Sequence, residues 1–257
     1  MQAIIIAGGT LEADSPLFLE TGIANKALIP IAGKPMVQWV ADAILGSDQV
    51  DGLVVVGLKE GDIDPRGKPI CYVEDRGSIL DNVLAGVDVA EEIDPQAQKI
   101  LLSTSDIPLL TTEIIDEFIH ICLEKKGQIH YTVVEKKVME ARFPNSQRTF
   151  TPLKGGRYSG GDLLMLDTST ANANLELVRN ATGRRKNFLA QARLLGFTFI
   201  FRFVFRLMDL AEAEQRARKA FNVDGRVLNY HRAELAMDVD KLHHYQLVKR
   251  ELEAKQA

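Results

Sequence analysis

Two glycines and a lysine near the start of the sequence have the types and spacing of an anion-binding loop. In "AIIIAGGT", Gly8 and Gly9 follow an apolar run, and their missing β-carbons allow backbone N–H groups to approach a phosphate. Lys26 follows in the next polar stretch and supplies a cation for the same anion. A glycine pair after a strand is weak evidence alone, so the assignment depends on what lies beside it in the fold.

Three aspartates form a second chemical feature, a candidate site for a divalent cation. Asp106 ends the apolar run of "KILLSTSDIP", and Asp238 and Asp240 stand in "DVD" before a predicted final helix. Carboxylates that are distant in sequence can hold Mg²⁺ against a triphosphate, whereas helix capping is the alternative role for the "DVD" pair. Together with Lys26, the aspartates suit nucleotidyl transfer from an NTP to an acceptor phosphate, with release of pyrophosphate.

Alternating strands and helices must position these residues. The first half predicts four buried strands, in "AIIIAG", "GLVVVG", "ICYVE" and "KILLSTSDIP". Between and after them, helices are predicted in "KPMVQWVADAIL", "SILDNVLAGVDVAEEI" and "TTEIIDEFIHICLEKK", the last two opened by Ser78 and by Thr111 or Thr112. This order predicts an α/β fold, a three-layer αβα arrangement with a mostly parallel sheet. Such sheets bind ligands at the carboxyl ends of their strands, where Gly8, Lys26 and Asp106 would meet.

The second half of the chain is less regular. Strands are predicted in "IHYTVVEK" and "GGDLLMLD", helices in "TSTANANLELVRNAT" and "LMDLAEAEQRARKAF", and a short strand before "DVD". No linker or internal repeat interrupts the chain. We therefore expect one domain over residues 1–257, with a nucleotide-binding half of about 1–130 and an acceptor-binding half of about 131–257 that could also form dimer contacts.

Composition excludes several classes of protein. The formal net charge of -4 over 257 residues argues against a general nucleic-acid binder, which is usually basic. Two cysteines without metal-ligand spacing argue against a disulfide framework or a zinc site. The N-terminus lacks the basic region of a signal peptide, so a cytoplasmic protein is expected.

One apolar segment allows several interpretations. "LLGFTFIFRFVFRLMDL", Leu194 to Leu210, is rich in phenylalanine, but Arg202 and Arg206 interrupt it and it is too short to span a membrane. We favour a helix that packs in the core or between two copies as a homodimer. A contact with a membrane surface or a lipid acceptor is the alternative, and alternation of the phenylalanines leaves a strand open.

The sequence resembles the MobA-like nucleotidyltransferases in its glycine loop and in "NKALIPIAGKPMVQWVADAIL", "ILLSTSDIPLLT", "RYSGGDLLML" and "MDVDKLHHYQLV". The resemblance implies a Rossmann-like (GT-A-like) nucleotidyltransferase fold, an NTP and a phosphorylated small-molecule acceptor as substrates, and Mg²⁺ as cofactor. It implies catalytic roles for Lys26 and Asp106, and Asp240, rather than Asp238, as the second metal ligand. The nucleotide-binding residues that it implies are Ala7, Gly8, Gly9, Thr10, Lys26, Ser78, Leu80, Asn82 and Ser105.

The sequence departs from the family pattern in the glycine loop. Relatives carry an arginine there that clamps phosphates, whereas this loop has Glu12 and Asp14 and no arginine before Lys26. The cations that could substitute are Arg66, Arg76, Arg157, Arg184 and Arg185. For the acceptor we name Gly160, Gly161, Arg184 and Arg185, although the glycines could instead permit a turn and the arginines a solvated face.

Two other functions fit parts of the sequence. A glycosyltransferase of related fold would hold its metal with an aspartate dyad such as "DVD", and the acidic glycine loop is compatible with a non-catalytic nucleotide-binding protein. The sequence leaves the base of the NTP open. The acceptor also stays open among a sugar phosphate, a polyol or lipid phosphate, and a cofactor precursor.

Overall fold

Residues 1–173 and 207–256 are described by the structure, a computed structural model. The strands are β1 Gln2–Ile6, β2 Pro30–Ile31, β3 Lys34–Pro35, β4 Gly52–Val56, β5 Ile70–Val73, β6 Lys99–Thr104, β7 Ile129–Glu135, β8 Thr151–Leu153, β9 Gly156–Asp167 and β10 Gly225–Tyr230. The helices are α1 Pro16–Thr21, α2 Met36–Leu45, α3 Ile79–Ile93, α4 Thr112–Glu124, α5 Lys136–Arg142, α6 Thr168–Ala173, α7 Leu210–Phe221 and α8 Leu242–Gln256.

Most strands join one large sheet in the order β10-β7-β9-β6-β1-β4-β5, and β8 pairs with β9. Neighbouring strands are parallel, except that β9 runs antiparallel to β6, β7 and β8. Strands from before and after residue 130 therefore share this sheet. The predicted α/β fold with a mostly parallel sheet is confirmed.

The sheet is buried on both faces because alternate residues of its central strands point to opposite sides. Ile5 and Val55 belong to an apolar core that includes residues of α2 and α4. Ile4 packs on the other face with Val87 of α3, where a β-carbon on Gly86 would lie only 2.8 Å from Cγ2 of Ile4. Helices thus cover both faces, which is the predicted three-layer αβα arrangement.

Helix starts are the local features that the sequence predicts best. Ser78 caps α3 by accepting a hydrogen bond from the backbone N–H of Asp81, and Thr111 caps α4 in the same way through Ile114. The helices α1 and α5 and the strands β8 and β10 were not predicted. The strand predicted before "DVD" is wrong, because Ala233–Ala236 form a 3-10 turn whose apolar side chains pack into the core without joining the sheet.

Some predictions concern residues outside the described ranges. Residues 174–206 contain Arg184, Arg185 and most of the Leu194–Leu210 segment, so their predicted roles stay predictions. Among the described helices, none has both the length and the apolar character needed to cross a membrane.

Candidate active site

The glycine loop begins directly after β1 and returns to it at Lys26. The backbone N–H of Lys26 donates a hydrogen bond to the carbonyl of Gly9 (2.9 Å), which closes the long loop that contains α1. Gly57, after β4, has φ 98° and approaches so closely that a β-carbon there would lie 2.5 Å from the nitrogen of Gly8. The loop is therefore fixed at the carboxyl ends of two parallel strands, with its glycines and Lys26 at one edge of the sheet.

Three aspartates meet at the same edge. Asp106 follows β6, and its carbonyl accepts a hydrogen bond from the backbone N–H of Val239 (2.9 Å), which joins it to the segment before α8. Carboxylate oxygens of Asp106, Asp238 and Asp240 all lie within 4.8 Å of one another. Residues that are far apart in sequence thus form one cluster of hard oxygen donors, the donor type that Mg²⁺ prefers.

Lys26 is the counter-ion of this cluster. Its Nζ donates to Oδ2 of Asp106 (2.6 Å) and also to Oδ1 of Asp240, while Thr104 donates to Oδ1 of Asp106 (2.6 Å). Burial alone would lower the pKa of Lys26, but the charges of Asp106 and Asp240 raise it to about 12. The ammonium therefore stays charged at neutral pH and lies where a second cation would also be attracted.

Arg148 pairs with Asp238, the third aspartate, and the sequence analysis did not single it out. Its guanidinium forms an ion pair with the Asp238 carboxylate, and Nη1 donates to the Asp238 carbonyl (3.4 Å). Both side chains are nearly buried, with exposed fractions of 11% for Arg148 and 10% for Asp238. Burial, and then the neighbouring Asp240, raise the pKa of Asp238. Burial would also raise the pKa of Asp240, but hydrogen bonds with Asp238 and Lys26 lower it.

A strained loop fixed to α8 carries Arg148. Asn145 and Gln147 have φ of 63° and 55°, a left-handed backbone conformation that residues other than glycine rarely adopt. Between them, the carbonyl of Ser146 accepts hydrogen bonds from Nε2 of His243 (3.2 Å) and of His244 (3.0 Å). Two adjacent residues of α8 thus hold the turn that aims Arg148 at the aspartates.

Asp162 of β9 is the fourth acidic residue at this edge and was also missed. Ser103 of β6 pairs with Leu163, so the next position along the ladder brings Asp162 beside the end of β6. Burial, followed by the charges of Asp106 and Asp238, raises its pKa to about 8. An aspartate after two glycines inside an apolar strand was the only available signal in the sequence.

Asp162 and the start of α8 both contribute to the lining of a cavity of about 260 Å³. Gly160 and Asp162 lie in its lining together with Arg148, Asp238 and Asp240. Both predicted acceptor glycines lie inside β9, so a turn at this position is wrong.

The two glycines have different surroundings. A β-carbon on Gly160 would lie 2.3 Å from Oη of Tyr131, and one on Gly161 would lie 2.2 Å from Oγ1 of the buried Thr132. Gly160 therefore makes room for the Tyr131 side chain, which lines the cavity, whereas Gly161 makes room for the buried Thr132 hydroxyl.

The remaining predicted nucleotide-binding residues divide into two groups. Ala7, Gly8, Gly9 and Thr10 follow β1, and Ser105 directly precedes Asp106. Ser78 and Leu80 begin α3, whose Asn82 is only 4% exposed. The Asn82 amide donates to Oδ1 of Asp75 (2.8 Å), next to Gly8, and accepts from the N–H of Arg76 (2.6 Å). Asn82 thus shapes the loop beside the glycines and presents little surface to a ligand.

Two of the cations that the sequence analysis offered for the missing loop arginine lie away from the three aspartates. Arg66 pairs with Asp42 on α2. Arg157 lines a neighbouring cavity of about 480 Å³, whose lining shares Gln147 and Arg148 with the cavity beside the aspartates. In the described part of the chain, neither arginine forms an ion pair or a hydrogen bond with any of the three aspartates. A residue of the second half thus supplies the second cation of the cluster.

Comparisons with known proteins agree with this geometry. The family model for the MobA-like NTP transferase domain matches residues 3–194. The chain is 32% identical to a hypothetical transferase from Thermus thermophilus, with a TM-score of 0.80 over 95% of this chain and 98% of that one. CMP:2-keto-3-deoxy-manno-octonic acid synthetase, solved with CTP, is 14% identical with a TM-score of 0.59 over all of both chains, a likeness of fold alone.

This chain matches only a part of the length of a curated relative. The bifunctional protein GlmU of Thermoanaerobacter pseudethanolicus is 29% identical over 107 residues, which are 40% of this chain and 22% of GlmU. The family model, in contrast, covers well over half of the chain and includes the glycine loop, Lys26 and Asp106. The chain therefore belongs to the MobA-like NTP transferase family.

Proposed function

We propose that this protein transfers NMP from an NTP to a phosphorylated small-molecule acceptor in a Mg²⁺-dependent reaction. The observation that carries the proposal is the convergence of three carboxylates and Lys26 beside the glycine loop. In this reaction an acceptor phosphate oxygen forms a bond to the α-phosphorus. The bond from the α-phosphorus to the oxygen bridging to the β-phosphorus breaks, and pyrophosphate leaves with that electron pair.

The aspartate cluster fits a divalent cation in its chemistry and spacing. The donors are carboxylates, and the Lys26 ammonium already lies against two of them. Asp240 is 53% exposed at its side chain, whereas Asp238 is nearly buried and paired with Arg148, so Asp106 and Asp240 are the ligands that we propose. Bound Mg²⁺ would supply neutralisation of charge on the triphosphate.

The chain's own residues position the substrates and stabilise charge. The backbone N–H groups at Gly8 and Gly9 would bind the triphosphate, with Lys26 as their cation. We also propose that residues of about 1–130 bind the nucleotide and those of about 131–257 bind the acceptor, since the cavity beside the aspartates is lined mostly by the second half. No covalent intermediate with the protein is needed.

Pyrophosphate release tests this function. A thermal-shift screen of the four NTPs with and without Mg²⁺ first identifies the base, because a ligand that binds the folded state raises its stability. Asp106→Asn should then lower pyrophosphate release about a hundredfold or more, since charge at the reacting phosphorus loses its compensation. The matched control is Asp88→Asn on the exposed face of α3.

Two results would contradict the proposal. Unchanged pyrophosphate release by Asp106→Asn would remove the metal assignment. If the protein consumes a nucleotide sugar and releases no pyrophosphate, the result would instead support the glycosyltransferase alternative.

A further inference from the structure

The start of α8, together with the aspartate segment before it, holds the turn of Arg148 at two points. Asp238 receives the Arg148 guanidinium through an ion pair and through its backbone carbonyl. A few residues later, His243 and His244 both donate hydrogen bonds from Nε2 to the carbonyl of Ser146, inside the same turn. The place of the guanidinium therefore depends on how the turn is held at Ser146 as well as on its own ion pair.

His244 is the more deeply buried of the two histidines. It is 1% exposed, and its hydrogen bond to the Ser146 carbonyl (3.0 Å) is shorter than that of the half-buried His243 (3.2 Å). Ser146 is buried as well, so water cannot readily replace a donor that its carbonyl loses. We therefore expect the bond from His244 to contribute more to the placement of the turn.

The imidazole of His244 is a neutral donor. Burial, followed by the charges of His243 and Arg148, lowers the pKa of His244 to about 4, so at neutral pH the ring carries one N–H. Its Nε2 holds that proton, because a carbonyl only accepts, and its Nδ1 is buried without a partner in the described part of the chain. A lysine or an arginine here would place a second positive charge beside Arg148. Histidine thus holds the carbonyl without repelling the guanidinium.

We propose that His244 is a positioning residue, which fixes the Ser146 carbonyl and thereby holds the Arg148 guanidinium on Asp238. With the guanidinium in place, the charge of Asp238 is neutralised within the protein, which leaves the other two aspartates to a divalent cation. The inference rests on the proposed function for this last step, because that reaction is the one that the cation serves. The placement of Arg148 itself does not depend on turnover.

Hydrogen exchange at the Arg148 side chain tests the positioning directly. Its Nε is buried, so its N–H should give a slowly exchanging signal in two-dimensional nitrogen–proton NMR spectra, assigned by its loss in Arg148→Met. His244→Leu removes the donor and should raise the exchange rate about tenfold or more. His244→Gln, whose amide can donate from a position similar to Nε2, should stay within about twofold of the wild type. No protected Arg148 signal in the wild type, or equal rates in the wild type and His244→Leu, overturns the proposal.

Further variants separate His244 from other histidines. His243→Leu removes the longer bond to the same carbonyl and should raise the exchange rate by less than His244→Leu. The exposed His120 lies on α4, so His120→Leu should leave the rate unchanged. A larger effect of His243→Leu overturns the assignment to His244. If His244→Leu does not fold, His244→Asn takes its place, because the shorter amide does not reach the carbonyl.

A double-mutant cycle tests whether the effect passes through Arg148. His244→Leu should lower the midpoint of urea denaturation clearly less in the Arg148→Met background than in the wild type, because members of one network are not additive. An equal lowering in both backgrounds would show that His244 only supports the fold, and would overturn the proposal. A wild-type protein that releases no pyrophosphate with any NTP would contradict the proposed function alone, because neither measurement depends on turnover.

Discussion

Lys26 and Arg148, the two cations of the aspartate cluster, are held in different ways. Lys26 comes from a loop that a backbone hydrogen bond closes directly on the end of β1. Arg148 comes from a turn with left-handed residues that two histidines of α8 hold in place. One cation depends on the immediate neighbours of a strand, and the other depends on contacts between distant segments.

Their partners differ in exposure as well. Asp240, which Lys26 contacts, is 53% exposed, whereas Asp238, which Arg148 contacts, is 10% exposed. If its partner moves away, the exposed Asp240 carboxylate can be solvated by water, whereas the nearly buried Asp238 carboxylate cannot readily be. The comparison indicates that Lys26 can leave Asp240 for a substrate phosphate at less cost than it can leave the less exposed Asp106. Loss of Arg148, in contrast, leaves the nearly buried Asp238 without its partner.

The largest effect should follow loss of the lysine. Lys26→Met should lower kcat/KM for the NTP about a hundredfold or more, because charge on the phosphates loses a fixed cation. Arg148→Met should act mainly on the KM of the acceptor. Steady-state kinetics with each substrate varied in turn measures both, with the exposed Lys126→Met as the control for Lys26. An equal loss in kcat/KM for the NTP in the two variants would contradict the assignment of Lys26 to the NTP and of Arg148 to the acceptor.

Loss of Arg148 should also lower stability, by more than loss of a surface ion pair. Arg148→Met leaves Asp238 nearly buried without its partner, so the free energy of unfolding at pH 8 should fall by about 3 kcal/mol. Arg232→Met breaks the more exposed pair with Glu117 and should cost less than about 1 kcal/mol. Urea denaturation measures both values. A smaller loss for Arg148→Met than for Arg232→Met would show that its ion pair contributes no more than a surface pair.

A third effect concerns the pH dependence of stability that Asp162 contributes. Burial and the charges of Asp106 and Asp238 raise the pKa of Asp162 from 3.8 to about 8 in the folded protein. The native state therefore binds more protons than the unfolded chain, so this contribution is full below pH 3.8 and is lost as the pH rises to about 8.

Asp162→Asn should flatten the fall in stability over this range in the absence of Mg²⁺. Urea denaturation at a series of pH values measures the slope, and Asp88→Asn is the control. A slope identical to that of the wild type would show that Asp162 does not titrate in this way.

The residues around Lys26 could be predicted from the sequence, whereas those around Arg148 could not. Gly8, Lys26 and Asp106 could be found because strand periodicity predicts that their strands end at one edge of the sheet, and because the resemblance to the MobA-like family implies roles for them. Arg148 could not be found, because its turn has no periodicity and depends on His243 and His244 from another segment. The 3-10 turn before Asp238 was mistaken for a strand, since a short apolar run has the same composition in both.

The antiparallel direction of β9 makes the geometry of the cavity a matter of strand register. A slip of one residue would turn Asp162 to the opposite face of the sheet, and a slip of two would move it about 7 Å along the strand. The register with β7 shifts between the pairs Tyr131–Leu164 and Val133–Gly160, so the irregular stretch of β9 includes Asp162. A β-carbon on Gly160 or Gly161 would collide with Tyr131 or Thr132. The glycine pair thus favours one alignment of β9, and that alignment sets the position of Asp162 relative to Asp106 and Asp238.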